Sequence, residues 1–206
     1  MKAKYILLLS SLLSLVACKK NAVVLNSNPL AVQARQTTQA TPIAVPNGDF
    51  ENWNWQLRPV SWYTNGCPLC QGAPFDEYQV RKDSQIVYHG NYSAQLIYNY
   101  YYQAYAKIKF ALSTHPTILQ GYVMCTLYNP DTVTINIKLL KNRHIVDSGY
   151  WQSTTAISSF TQINIPISTA ATLIDSAQIT ITGGKKIAPN NVNSTTLWVD
   201  DLSFFK

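Results

Sequence analysis

Acid–base chemistry has few places to happen in this chain, whose 206 residues include ten acids and three histidines. A glycosidase needs two carboxyl groups facing each other across a cleft, roughly 5 to 10 Å apart. Glu51 in "DFENW" and Asp200 in "WVDD" are the pair worth weighing. Asp76, Glu77 and Asp83 sit in loop-like stretches with no evident partner. His89, His115 and His144 show no metal-ligand spacing, and no G-x-S-x-G elbow supplies a nucleophile. A non-catalytic domain is the expectation.

The abundant chemistry is aromatic. "YNYYYQAY", Tyr98 to Tyr105, holds five of the thirteen tyrosines. Sugars stack their C–H faces on such rings, and the phenol edge can bond neighbouring hydroxyls. Read as one strand, the run puts Tyr98, Tyr100 and Tyr102 on the face of Leu96, with Tyr101 and Tyr105 opposite. The first set would then be core. Tyr101 and Tyr105 would form a platform, with Gln95, Asn99 and Gln103 as hydrogen-bonding neighbours. A turn inside the run would break that pattern. Trp53, Trp55, Trp62 and Tyr63 are rival platform rings, and Trp198 and Phe204 read as core.

Strands must position these side chains. β-Branched and aromatic residues alternate with polar ones in "EYQVRK", "QIVY", "YSAQLIYN", "YAKIKFAL" and "ILQGYVMCTLYN". The pattern continues in "VTINIKLLKN", "IVDSGYWQ", "FTQINIPI", "SAQITITGG" and "TTLWVDDLSFF". Between them "NPDT", "KNRH" and "GGKKIAPNN" are turn chemistry. No long segment carries a helical period with caps. About ten strands in roughly 160 residues point to an all-β, two-sheet antiparallel jelly-roll β-sandwich.

The N-terminus bears on the compartment. Lys2 and Lys4 precede an apolar run from Tyr5 to Val16. A spanning helix needs roughly 20 apolar residues, so this shorter run suits a secretory signal over residues 1–17. It ends in "LVAC", Leu15 to Cys18, which resembles a bacterial lipobox. The resemblance implies acylation of Cys18 and a membrane anchor through lipid; an ordinary signal peptide is the alternative. Residues 18–46 contain no acid and no aromatic ring and read as a flexible tether, leaving the folded domain over 47–206. The expected location is the cell envelope, at the outer membrane, facing either the surface or the periplasm. In an oxidising compartment "CPLC" suits a loop disulfide between Cys67 and Cys70; a zinc half-site or a redox motif is the alternative. Cys125 reads as a buried strand thiol. The net charge of +6 falls to about +4 without Lys2 and Lys4, and the remaining lysines are scattered along the chain. No nucleic-acid partner is expected.

Three pieces carry a family resemblance. "NGDFENW" opens the domain, "HGNYSAQL" follows about 40 residues later, and "LWVDDLSFF" ends it. In that order they resemble the galactose-binding-like jelly rolls of carbohydrate-binding-module families 4, 9 and 22. "GDFENW…P…W" is also similar to the Bacteroidetes lipoprotein domains assigned to carbohydrate metabolism. The resemblance spans Asn47 to Lys206. It implies a non-catalytic module that captures glycan at the envelope. A structural or adhesive sandwich meeting an envelope protein is the alternative. It also implies a structural Ca2+ where the first and last strands meet, with oxygens from Glu51, the backbone around His89, and Asp200. Asp201 is the alternative to Asp200, since alternation turns the two to opposite faces. Hydrogen bonds from both acids to turn amides are the competing reading. Trp62 matches a tryptophan that the family packs inside.

Overall fold

Apolar residues recur at every second place in most of the long strands, so each can hide one face and wet the other. The computed structural model describes residues 41–65, 79–98, 103–128, 130–168, 173–184 and 195–206. Cys18, Cys67, Cys70 and Tyr101 lie outside them, as do the signal and most of the tether. Eleven strands are described: β1 (Ile43–Ala44), β2 (Tyr63–Thr64), β3 (Val80–Asp83), β4 (Ser93–Ile97), β5 (Tyr105–Ala111), β6 (Ile118–Thr126), β7 (Val133–Lys141), β8 (His144–Ser153), β9 (Ile157–Pro166), β10 (Ser176–Thr182) and β11 (Thr196–Phe205).

They form two antiparallel sheets. One runs β3-β4-β11-β6-β9, with β1 also on β11; the other runs β2-β5-β10-β7-β8. The alternating set of each strand points to the space between them. Leu96, Leu119, Val123, Ile165, Leu197 and Phe204 from the first sheet are buried there. Ala106, Ile108, Ile135, Ile137, Ile179 and Ile181 face them from the second. The domain is an all-β, two-sheet jelly-roll sandwich.

Three local expectations are corrected. The tether does not run to residue 46, because Ile43 and Ala44 pair with Phe204 and Ser203 and Val45 is buried in the core. "QIVY" is not a strand. Asp83 Oδ1 accepts from the N–H groups of Gln85 and Ile86, at 2.7 and 3.1 Å, and that local turn ends β3. Nor does one strand run through "YNYYYQAY": β4 ends at Ile97 and β5 begins at Tyr105, in the opposite sheet.

The last strand carries the feature that matters for the acids. Its register shifts between Asp200 and Ser203, and Asp201 adopts a positive φ of 49°. The bulge inverts parity: Leu197 and Val199 face the core before it, Leu202 and Phe204 after it. It also marks a change of neighbour, since β4 flanks Thr196–Val199 and β1 flanks Ser203–Phe204.

Candidate functional site

The outer face of the six-stranded sheet holds the acids. Asp200 is fully buried, although it sits on that outer side, because residues 88–92 cross over it. Its Oδ2 accepts from the backbone N–H groups of Tyr88 at 3.1 Å and His89 at 3.2 Å, and its Oδ1 from Asp201 N–H at 2.9 Å. Glu51 grips the other end of the same turn. Its Oε1 accepts from Asn91 N–H at 2.7 Å and Tyr92 N–H at 2.9 Å, and its Oε2 from Asn91 Nδ2 at 3.1 Å. Between them Gly90 holds φ +76°, and the Glu51 carboxylate fills the space where a Cβ would go. Glycine is required there for both reasons.

Burial pushes the Asp200 carboxyl up to about 6, against the lowering effect of its N–H donors. Burial also raises Asp201, whose Oδ2 lies 3.5 Å from His89 Nδ1. Desolvation opposes ionisation of Glu51 as well, but its N–H donors outweigh that and hold its carboxyl below the ordinary value. The expected calcium residues Glu51, His89 and Asp200 are thus brought to one corner. A calcium shell wants six to eight oxygens. Here the turn presents N–H groups to both carboxylates, and no group of three or more His, Cys, Asp or Glu converges on a metal position among the described residues. As arranged, the corner does not fit a calcium shell.

Rings cover part of the rest of that face. Tyr88 stacks on Tyr122 of β6 with centroids 3.5 Å apart and planes 13° apart, and Phe160 of β9 lies 5.9 Å from Tyr88. Trp198 of β11 is 6% exposed, its Nε1–H donating to Asp83 Oδ2 at 2.8 Å. Gln95 is on this face too, opposite Trp198 and Arg81.

The outer face of the five-stranded sheet is built differently. Pairing aligns one residue from each strand in a single row: Tyr63, Lys107, Thr180, Asn136 and Tyr150. Strand spacing makes this row roughly 19 Å long. A row on one side holds Tyr105, Thr182, Thr134 and Gln152, and a row on the other Lys109, Gln178, Lys138 and Ser148. Rings stand at both ends. Tyr63, 62% exposed, lies 6.0 Å from Tyr105, and Tyr150, 51% exposed, donates its hydroxyl to Gln152 Oε1 at 2.8 Å. Burial, then the Tyr63 hydrogen bond, raises the Tyr105 phenol above its usual value. The three rows contain no carboxylate.

The expected platform residues are dispersed. Tyr98 is buried, as expected, and Tyr105 joins the open face, but Gln95 belongs to the opposite sheet, so the two cannot serve one ligand. The side-chain amide of Gln103 donates from Nε2 to Gly184 O at 2.8 Å, and the Gln103 backbone carbonyl accepts from Asn65 Nδ2. Asn65 Oδ1 in turn accepts from Tyr105 N–H at 2.8 Å, so this cluster fixes the start of β5. Trp53 is half-buried, its Nε1–H donating to Phe50 O, whereas Trp55 is 80% exposed. Lys107, Asn136, Thr180 and Tyr150 were missed by sequence reasoning. Their alternation within each strand was visible, but their alignment depends on pairing across the sheet.

No family model matches the sequence, and no curated protein matches it. Solved structures share its sandwich. Tailspike protein 4 of bacteriophage CBA120 superposes with a TM-score of 0.51 at 13% identity, over 79% of this chain and 21% of that one. TmCBM61, solved with β-1,4-galactotriose, gives 0.46 at 10% identity, over 79% of this chain and 97% of that one. A Bacteroides thetaiotaomicron structure named as a candidate glycoside hydrolase gives 0.46 at 11% identity; this chain covers 59% of its length with 65% of its own. Carbohydrate-binding modules recur among such neighbours. At these identities the fold is what is shared.

Proposed function

We propose that this domain binds a carbohydrate chain along the outer face of the five-stranded sheet, without cleaving it. The row from Tyr63 through Lys107, Thr180 and Asn136 to Tyr150 carries the reading. Rings at its two ends offer stacking surfaces for sugar C–H faces. Between them the Thr180 hydroxyl and Asn136 amide can both donate and accept, which suits a ligand rich in hydroxyls. The length of the row favours an oligomer over a single sugar. Hydrolysis would require a pair of carboxyls flanking the bond, and none stands in the three rows. The sugar reading agrees with the motif resemblance at Asn47, Glu51 and Asp200. We also propose that the domain works at the cell envelope, held by an acylated Cys18 through the segment that follows it; "LVAC" and the apolar run before it support this.

Affinity electrophoresis of the purified protein through gels containing soluble polysaccharides tests the binding. At least one polysaccharide should retard it, and Tyr63→Ala or Tyr150→Ala should weaken retardation several-fold while the fold is kept. Retention unchanged in both variants would remove this face as the site. For the anchor, Cys18→Ala should leave the protein unprocessed or free of the membrane fraction. A variant that is processed and membrane-bound like wild type would exclude lipidation.

A further inference from the structure

We infer that the glycan taken by this face is an acidic one, carrying carboxylate or sulfate groups along the sugar chain. The inference rests on the sugar-binding reading and adds the class of sugar. Lys107 and Lys109 of β5 and Lys138 of β7 all point outward from the five-stranded sheet and are exposed. Lys107 stands in the row between Tyr63 and Tyr150, and Lys109 and Lys138 flank Gln178 in the row beside it.

The described acids that could neutralise them are engaged elsewhere. Both ion pairs among the described residues involve histidine, His89 with Asp201 and His115 with Asp147. Among the described residues, no carboxylate pairs with these three lysines. Asp175, at the edge of the face, acts on Lys109 and Lys141 through space, but its own oxygens take Asn142 N–H at 2.6 Å and Ser176 Oγ–H at 2.8 Å. Among the described residues, no carboxylate forms an ion pair with Lys107 or Lys138. On the opposite sheet Lys82 shows the contrast, lying 4.2 Å over the Tyr92 ring.

A neutral glycan would leave this positive charge unused, whereas an acidic one would place its anions on it. A nucleic acid would also supply anions, but single strands are held by ladders of rings on which successive bases stack. Here Thr180 and Asn136 fill the middle of the row and the rings stand only at its ends. That arrangement favours a hydroxylated chain with intermittent charge.

The test measures retention of the purified protein on matched probes: polygalacturonate against its carboxyl-reduced form, dextran sulfate against dextran, and oligo-dT. Either acidic polymer should retain the protein at least ten-fold better than its neutral partner, and which one does identifies carboxylate or sulfate as the recognised group. Retention should fall as salt rises from about 0.05 to 0.5 M. Lys107→Gln with Lys138→Gln should weaken it roughly three- to ten-fold. Tyr150→Ala should weaken it too, and Lys82→Gln should not. Equal retention by the neutral partners, with the lysine variants unaffected, overturns the acidic assignment and leaves sugar binding standing. Loss on Lys82→Gln equal to that of the paired variant reduces the effect to general charge and overturns it as well. Preferential retention of oligo-dT overturns it in favour of nucleic acid. No retention by any polysaccharide overturns the sugar reading and this inference together.

Discussion

The two outer faces of the sandwich both carry tyrosines and polar side chains, yet they are covered to different degrees. On the six-stranded side residues 88–92 are pinned over the sheet by Glu51 and Asp200, and Tyr88 stacks one side of its ring on Tyr122 while staying 42% exposed. On the five-stranded side Tyr63 and Tyr150 keep more than half of their surface in solvent. The difference comes from the acids. A buried carboxylate must be satisfied by N–H donors, and satisfying Asp200 and Glu51 draws a turn across the sheet. Among the described residues the outer side of the opposite sheet has no such centre, and none of them is pinned by buried carboxylates across its rings. A tyrosine count therefore says little about a binding face; what matters is how much of each ring is left in solvent.

The most direct way to break the contrast is to remove the clamp. Asp200→Ala leaves three N–H groups without their acceptor under a closed turn, and stability should fall by about 3 kcal/mol or more in denaturant titration. A melting curve like that of wild type would mean the turn is held by something else.

The same carboxylate should make the closed face sensitive to pH. Asp200 titrates near 6 in the folded protein, above the ordinary 3.8, so between those values the native state binds more protons than the unfolded one. Its contribution to stability is complete below about pH 4 and is lost as pH rises through about 6, on the order of 2–3 kcal/mol. Glu51, held low, acts in the opposite sense, its contribution being lost on acidification. Comparing thermal melts of wild type and Asp200→Asn across pH 4 to 7 isolates the first effect, with Asp201 retaining a share of it. Equal slopes in the two proteins would contradict the assignment.

A matched pair of ring deletions sharpens the comparison further. Tyr88→Ala should cost about 1 kcal/mol of stability and leave polysaccharide retention intact. Tyr150→Ala should leave the melting temperature within about a degree and weaken retention by about 1 kcal/mol. The reverse outcome would exchange the roles of the two faces. The smallest effect is expected from chelation. Because N–H groups already occupy Glu51 and Asp200, stripping divalent ions should leave the melting curve unchanged. A rise on adding calcium, which mass action would make about 2.7 kcal/mol at a hundredfold excess over the dissociation constant, would return those acids to the role of ligands.

The sandwich was legible because alternation is a local signal. "YAKIKFAL", "VTINIKLLKN" and "SAQITITGG" each announce one wet and one dry face, and β5, β7 and β10 form where those segments lie. Tyr98 was legible as core for the same reason. The fate of Asp200 was not. Strict alternation treats neighbouring residues as opposite-facing, and the bulge at Asp201 adds a residue that resets the count. The motif pairing Glu51 with Asp200 did bring both acids to one turn, but whether that turn offers carbonyls or N–H groups depends on its backbone conformation.

What the sequence determined by itself, then, was composition and period: an all-β chain with few acids, many rings, and lysines at alternate places in β5. Its lysines read as scattered because Lys107 and Lys138 are far apart along the chain. Only the tertiary structure decided that β10 lies between β5 and β7, which sets Thr180 beside both Lys107 and Asn136 and brings Lys109 and Lys138 to either side of Gln178. The reason is physical. Side-chain alternation is imposed by the backbone within a strand, whereas a row across a sheet is written by hydrogen bonds between strands distant in sequence, and those are selected by burying both dry faces at once.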